Sequence, residues 1–443
     1  MSELVAIKKV VLDLIAKEKR KPVFEILDFY FAKAKTLADY DVLGELALKA
    51  EYRDMYLTCA EAAYTQATTS EQLYIARSNL YKAYNALNYP EKALFYIDLN
   101  LEQTPTDFDT LMNRAFNIAL LGRRAESEDI IKKLVAKDPK QAENIQYAFS
   151  GKMLRDGHTA AGILNFIDTF KPNSVLFETT LKMKKWTGMA MPGRTIYVNG
   201  EGGIGDELIN IRFFENLKKL GMTPILYSCW SMYRPDLVDM FRRHGYEVIT
   251  DTYSIRTEHL WTNMMPLPGY LGLQESELWT APYLVPIHNP KNKLKSKKFK
   301  IGIKCNGNPY FAQDVYRSIP IDDMLKYLPS DDNVEIYYFD KDKEHPGTIG
   351  MKDKLNTWDD TLDYIDQMDV IVSSCTSLVH ATGALGKRAI VLVPIAEYYI
   401  WTSTRTNETT PWYGNNFTVL KQSKVRDWSA PLSRMKTLVE GMR

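Results

Sequence analysis

Between Lys182 and Gly193 the chain changes its hydrophobic period, and that change limits what it can fold into. Before it, apolar residues recur at helical spacing with short breaks. After it, short β-rich runs alternate with helical stretches across glycine and proline turns. A purely helical or purely β protein is excluded, and a helical unit followed by an α/β unit is expected. The length, 443 residues, suits about three folding units at roughly 150 residues each.

In the helical part, residues 2–38 read as two helices, and Ala50–Gln66 and Glu71–Leu87 as two more. The following segments repeat. ALNYPEKALFYIDLNLEQTP closes at Pro105 and ALLGRRAESEDIIKKLVAKDP at Pro139, 34 residues further on. Ala115, Gly122 and Pro139 take the small-residue, turn and terminal-proline positions of a tetratricopeptide repeat, and Tyr89-Pro90 and Ala93 play the turn and second-helix roles one unit earlier. Ser150, Gly157, Ala161 and Pro172 form a looser copy with a one-residue slip. A small side chain lets paired helices approach, glycine relieves the turn, and proline ends the second helix. Such pairs bury their apolar faces only by stacking. A generic array of helical hairpins is the open alternative, and neither version names a partner.

From Thr195 the pattern is α/β. The strand TIYVNG runs into GEGGIGDE, the helix ELINIRFFENLKKLG follows, and PILYSC and YEVITD read as further strands around the helix RPDLVDMFRRHG. A proline-rich passage with a basic tail, Lys291–Lys300, reads as an exposed linker. A second α/β unit runs from FKIGIKCNGNP through VEIYYFD, DVIVSSC and RAIVLVP to a C-terminal helix. Two nucleotide-fold-like halves enclose a cleft, where such sheets bind ligands.

Composition narrows the function. Lys and Arg total 56 against 55 Asp and Glu, a net charge of +1, which disfavours a globally basic nucleic-acid binder. Cys59, Cys229, Cys305 and Cys375 lack the short spacings of zinc knuckles or redox pairs, and the histidines show no metal-ligand spacing. No apolar run approaches 18 residues, and the lysine-interrupted N-terminus reads as an amphipathic helix, not a signal peptide. No transmembrane segment and a cytoplasmic location are therefore expected.

Three clusters could carry chemistry. In Gly200–Asp206, Gly203 and Gly205 let the backbone approach a ligand at a strand-to-helix turn, and Asp206 is a general base or a helix cap. The turn fits neither a dinucleotide fingerprint nor a Walker A loop, and the order of the second unit reads as different from a dehydrogenase half. In Ser373–Gly386 a strand gives way to a helix that Thr376 and Ser377 can cap, their hydroxyls and the free N–H groups facing a diphosphate, with His380 one turn in. An ordinary cap with a core histidine is the alternative there. Lys304, Asn306, Asn308 and Arg317 place cationic and amide donors near a strand end, as a phosphate ligand or a solvated loop would require.

Together these pieces resemble tetratricopeptide-repeat proteins carrying a glycosyltransferase family 9-like domain, related to lipopolysaccharide heptosyltransferases and more distantly to O-linked N-acetylglucosamine transferases. The resemblance covers nearly the whole chain and rests on an ordered set of strings: GGIGDE, MMPLP, PYL, IGIKCNGNP, YRSIP, MDVIVSSCTSLVHATGALGK and PWYGNNFTVLKQ. It implies an α + α/β fold, a TPR-like array followed by a GT-B type pair of Rossmann-like domains. The expected divisions are 1–190 for the helices (clearest in 71–175), 191–290 for an acceptor-side lobe and 291–443 for a nucleotide-sugar-side lobe. It further implies an inverting transferase that needs no cofactor or metal and moves a sugar from a nucleotide sugar to a protein or glycan acceptor, with no nucleic-acid partner. By resemblance Asp206 is the catalytic base. Thr376, Ser377 and His380 cradle the donor diphosphate, Lys304, Asn308 and Arg317 lie on the donor side, and Trp412 and Tyr413 match a PWY segment. Two departures stand out: Cys375 replaces the family's aspartate before the threonine, and Cys305 its tryptophan. They motivate the alternative of a noncatalytic scaffold; a nicotinamide-dependent oxidoreductase is the remaining rival.

Overall fold

The computed structural model describes residues 2–16, 20–137, 153–154, 157–170, 175–228, 234–309, 311, 314–395, 398–402 and 407–443. The chain divides into two compact units: residues 1–141 with the short segments 308–316 and 423–427, and the remainder.

The first unit is a helical array: α1 (Ser2–Ala16), α2 (Arg20–Phe31), α3 (Leu37–Lys49), α4 (Arg53–Gln66), α5 (Ser70–Ala86), α6 (Pro90–Gln103), α7 (Phe108–Leu120) and α8 (Arg124–Lys137). Helix α3 went unread in the sequence. Thr36 and Thr69 begin α3 and α5 with capping boxes, and Asp107 caps α7. The repeat is plainest at the hairpin turns. Glu51, Asn88 and Gly122 all take left-handed backbone conformations, at φ 56°, 61° and 81°. After each, an N–H reaches back to the preceding helix: Tyr52 to Ala47, Tyr89 to Tyr84 and Arg123 to Ile118, at 2.9, 2.8 and 3.1 Å. The same closure recurs in the second unit at Gly157, where His158 N–H meets the Met153 carbonyl at 2.8 Å. Ala93 and Ala115 are fully buried, as the small-residue positions require. Pro139, Ser150 and Pro172 lie outside the described residues, as does Cys229. The segments 308–316 and 423–427 pack within this unit: Tyr316 donates its hydroxyl to the Asn85 carbonyl at 2.9 Å, and Arg426 pairs with Glu91 at 3.0 Å.

The second unit holds two wholly parallel sheets. The first has β1 (Lys184–Lys185), β2 (Thr195–Asn199), β3 (Thr223–Tyr227), β4 (Val248–Ile249) and β5 (Leu260–Asn263), in the order β4-β3-β2-β5-β1. The second has β6 (Phe299–Lys304), β7 (Val334–Tyr338), β8 (Ile349–Gly350), β9 (Val370–Ser374), β10 (Ala389–Val393) and β11 (Phe417–Lys421), in the order β8-β7-β6-β9-β10-β11. Counted within its own lobe, that is 3-2-1-4-5-6, the doubly wound order of a dinucleotide fold. The sequence reading that this half departs from a dehydrogenase's order is thus corrected. The departure lies in the turn after β6, where Cys305-Asn306-Gly307 supplies no phosphate-binding glycine fingerprint.

Alternating strand residues feed separate layers. Ile196 and Val198 join a core that continues through both lobes, while Tyr197 faces Phe177 and Trp261 on the other side of the first sheet. Ile301 and Ile303 pack with Met324, Met435 and Val439 behind the second sheet. Helix α9 (Thr159–Phe170) packs in this unit, where Gly269 accommodates Leu164. The helical unit expected over 1–190 therefore ends near 141, because α9 buries its face on the α/β unit. The expected exposed linker is partly tethered: Asn292 donates to Asp360 and Asp363, and Gln367 accepts from Leu294 N–H.

Candidate functional site

Parallel sheets bind ligands where the strand order reverses, since adjacent connections there leave on opposite faces and open a crevice. In the first lobe that point lies between β2 and β5. Asn199 Nδ2 donates to Asn263 Oδ1 across it at 3.0 Å, and the glycine-rich turn begins directly beyond. Helix α10 (Ile204–Asn210) follows. In the second lobe the reversal lies between β6 and β9, whose carboxyl ends carry Lys304 and the Ser373–Thr376 run, and helix α11 (Ser377–Ala384) follows. Helices α10 and α11 pack together, which brings the two strand reversals side by side.

The contact between them depends on a missing side chain. A Cβ on Gly205 would stand 2.7 Å from His380 Cδ2 and 3.5 Å from the Ser377 Cα. Gly202, at φ 76°, wraps over Asp206 so closely that a Cβ would lie 2.5 Å from its Oδ2. That oxygen accepts the Gly203 N–H at 2.7 Å, while Oδ1 accepts the Tyr398 hydroxyl at 3.3 Å. Asp206 therefore does cap its own helix. Burial raises its carboxyl to about 6, against the opposing pull of the Gly203 N–H, Tyr398 and the Arg317 guanidinium.

Arg317 Nη1 donates to the Cys375 carbonyl at 2.7 Å, immediately before α11, and Gly307 leaves room for its guanidinium. The Thr376 side chain makes no cap to α11; its hydroxyl bonds Ser373 Oγ at 3.2 Å. Among the described residues, the helix thus begins with no cap from its Thr376 side chain, beside a cation. His380 is buried, with Nδ1 2.6 Å from the Tyr413 hydroxyl and its ring stacked on Trp401. Burial, Arg212 and Arg317 together lower it to about 3, so its imidazole is neutral at working pH.

The structure thus brings Gly203, Gly205, Asp206, Arg317, Thr376, Ser377 and His380 into one region. Lys304 lies in register with Ser373 but is paired with Asp340 at 2.7 Å. Asn308 belongs to the segment packed within the helical unit. Asn306 Oδ1, just beyond β6, is buried without a hydrogen-bond partner among the described residues. Cys305 is core: its Sγ lies 3.7 Å from Met324 Sδ, and burial pushes the thiol up to about 12. Among the described residues, no group of three or more His, Cys, Asp or Glu could hold a metal ion, and no helix is long and apolar enough to cross a membrane.

Three residues in this region were not singled out in the sequence. Glu201 Oε1 accepts the Met265 N–H at 3.0 Å, tying the β2 and β5 loops, while Oε2 is buried without a partner among the described residues. Burial, with Asp206 nearby, raises it to about 8 against the Met265 N–H and Lys185. It stands in the same glycine-rich string and was legible from that. Arg212, a lone charge in the apolar run INIRFF, was visible as an anomaly. Tyr398 carries no local signal.

No protein-family model matches the chain, and no curated protein matches it. Solved structures to which it is similar include a glycosyl transferase family 9 protein from Veillonella parvula DSM 2008, at 9% identity and TM-score 0.37, over 54% of this chain and 88% of that one. Another is the iron-containing dodecameric glycosyltransferase TibC from enterotoxigenic E. coli H10407, at 11% identity and TM-score 0.35, over 57% of this chain and 76% of that one. A third is an O-GlcNAc transferase mutant from Thermobaculum terrenum, at 12% identity and TM-score 0.32, over 100% of this chain and 94% of that one. At these scores the fold assignment rests on the strand orders and repeated turns above, not on the likeness.

Proposed function

We propose that the α/β unit is a glycosyltransferase that moves a sugar from a nucleotide-sugar donor to a hydroxyl of a protein or glycan. The observation that carries this reading is the pairing of two strand reversals: a half-buried carboxyl poised near neutrality at one, and a cation beside a helix start that Thr376 does not cap at the other.

The acceptor hydroxyl lies by Asp206 and attacks the anomeric carbon from the face opposite the diphosphate. A carbon–oxygen bond forms to the acceptor, the bond to the diphosphate breaks, and the hydroxyl proton passes to the Asp206 carboxylate. Attack from the opposite face inverts the anomeric centre. With its carboxyl at about 6, Asp206 is mostly ionised at pH 7 yet basic enough to take that proton. Charge developing on the leaving diphosphate meets Arg317 and the first N–H groups of α11, already oriented before reaction. His380, neutral and buried, acts as a fixed hydrogen-bonding group and carries no positive charge to the phosphate. The helical array would present the acceptor or its carrier.

Replacing Asp206 by Asn tests the base. Transfer should fall about 10²–10⁴-fold while nucleoside-diphosphate binding, followed by titration calorimetry, persists. Unchanged transfer would remove Asp206 from the mechanism. Failure of the parent protein to bind any of a panel of nucleotide sugars would favour the noncatalytic scaffold.

A further inference from the structure

Resting on this transfer reading, the geometry points to Arg212 as a positioning residue: we propose that its caged guanidinium locks the helix bearing Asp206 against the helix bearing His380. The base and the donor crevice are thereby held in one register.

Arg212 sits in the 3-10 turn Ile211–Phe213, directly after α10, and is 8% exposed. Its Nη1 donates to the Trp412 carbonyl at 2.9 Å. The guanidinium carbon lies 5.1–5.7 Å from the ring centres of Phe213, Trp279, Tyr283, Trp412 and Tyr413. Nε and Nη2 are buried and meet no acceptor among the described residues. A buried cation with no paired carboxylate is costly, and aromatic faces offset only part of that cost. An apolar side chain would fill the same space more cheaply, so what the arginine adds is a directed bond.

That bond spans the unit. Phe213 belongs to the first lobe, Trp279 and Tyr283 to the connection between lobes, and Trp412 and Tyr413 to the second lobe. From this cage, Tyr283 donates its hydroxyl to the Leu208 carbonyl on α10 at 2.8 Å. Tyr413 reaches the other helix, bonding His380 and lying where a Cβ on Gly383 would stand 2.2 Å from its ring. His380 closes against Gly205, back on α10. The circuit accounts for the PWY segment, which the transfer mechanism leaves unused.

The test uses the full chain with Arg212→Ala and Arg212→Met, compared by hydrogen–deuterium exchange, transfer kinetics and rescue with added guanidinium. Exchange at residues 204–210 and 377–384 should rise about tenfold in both variants. The kcat should fall about tenfold with the donor KM within twofold, and guanidinium should restore both properties to Arg212→Ala. Unchanged exchange at both stretches in a folded variant would overturn the proposal, as would a rise that guanidinium fails to reverse. If the parent transfers no sugar, the reading of function fails, while exchange and its rescue still decide the role of Arg212. If neither variant folds, Trp279→Leu, which removes one wall of the cage, decides: faster exchange at both stretches supports the lock and unchanged exchange overturns it.

Discussion

Glu201 and Asp206 stand five residues apart in one glycine-rich turn, yet they hold their protons differently, at about 8 and about 6. Both are raised first by burial; Asp206 is drawn back by the Gly203 N–H, Tyr398 and Arg317, whereas Glu201 also feels the charge of Asp206. The turn therefore carries one neutral acid and one ionised base at pH 7. For Glu201 the folded value lies above the ordinary 4.5, so the folded state binds a proton that the unfolded state has released. Stability contributed by this group is present at low pH and is lost as pH rises from about 4.5 to about 8. Glu201→Gln, a neutral isostere, should remove that loss, and its unfolding midpoint relative to the parent should climb between pH 5 and pH 8. A gain of about 2–4 °C for each kcal/mol is expected in a unit of this size, read by thermal melts at several pH values. For Asp206, Tyr398→Phe removes a bond that favours the ionised form, so the acid limb of the transfer profile should move to higher pH. A limb that stays in place would mean that Asp206 does not set it. The sequence made Asp206 visible as base or cap and left the choice open. The structure shows it capping its helix with one oxygen while the other accepts the long contact from Tyr398.

The run read as one helix, ELINIRFFENLKKLG, is broken into α10 (Ile204–Asn210), the 3-10 turn Ile211–Phe213 and a helix over Phe214–Lys219. The presence of a helix behind each strand, α10 and α11, was nevertheless legible. Their packing on one another was not, because the glycine that permits it belongs to one helix and the histidine it receives to the other. Gly205→Ala should push α10 off His380, lowering the unfolding free energy read from the urea midpoint by about 1–3 kcal/mol and slowing transfer more than it weakens nucleotide binding. Midpoint and transfer both matching the parent would show that the helices have slack there. Strand β5 was missed for a related reason. LWTN is four residues long and half polar, too short for a period, although all four are buried. Of its two polar residues, Asn263 accepts the Asn199 amide through Oδ1 at the strand reversal, while Thr262 Oγ1 and Asn263 Nδ2 are buried with no hydrogen-bond partner among the described residues. The repeat turns show the opposite case. Gly122 and Gly157 announced themselves, whereas Glu51 and Asn88 hold the same left-handed turn without glycine, so the register was clearer in structure than in sequence.

At the scale of the whole molecule, the two compact units make a calorimetric prediction. Thermal unfolding should show two transitions, and a nucleoside diphosphate at 100 times its dissociation constant should stabilise the one belonging to the α/β unit by about 2.7 kcal/mol. A ligand-induced shift confined to the other transition would place the nucleotide site in the helical array. The expectation of a helical part and two α/β lobes survived, because period is a local property and each element's apolar face is written in its own residues. Strand order is different. The 3-2-1-4-5-6 sheet depends on which side each crossover takes, and a sequence of alternating strands and helices carries no record of it. By itself the sequence determined the change of period, the repeat and the two strand-to-helix turns, since these follow from local sterics and amphipathicity. Tertiary structure alone decided that α9 leaves the helical array, that Lys304 is paired with Asp340, and that Arg212 is buried among five aromatic rings. Those outcomes depend on desolvation and on contacts between residues as far apart in the chain as 212 and 412, and no local pattern encodes them.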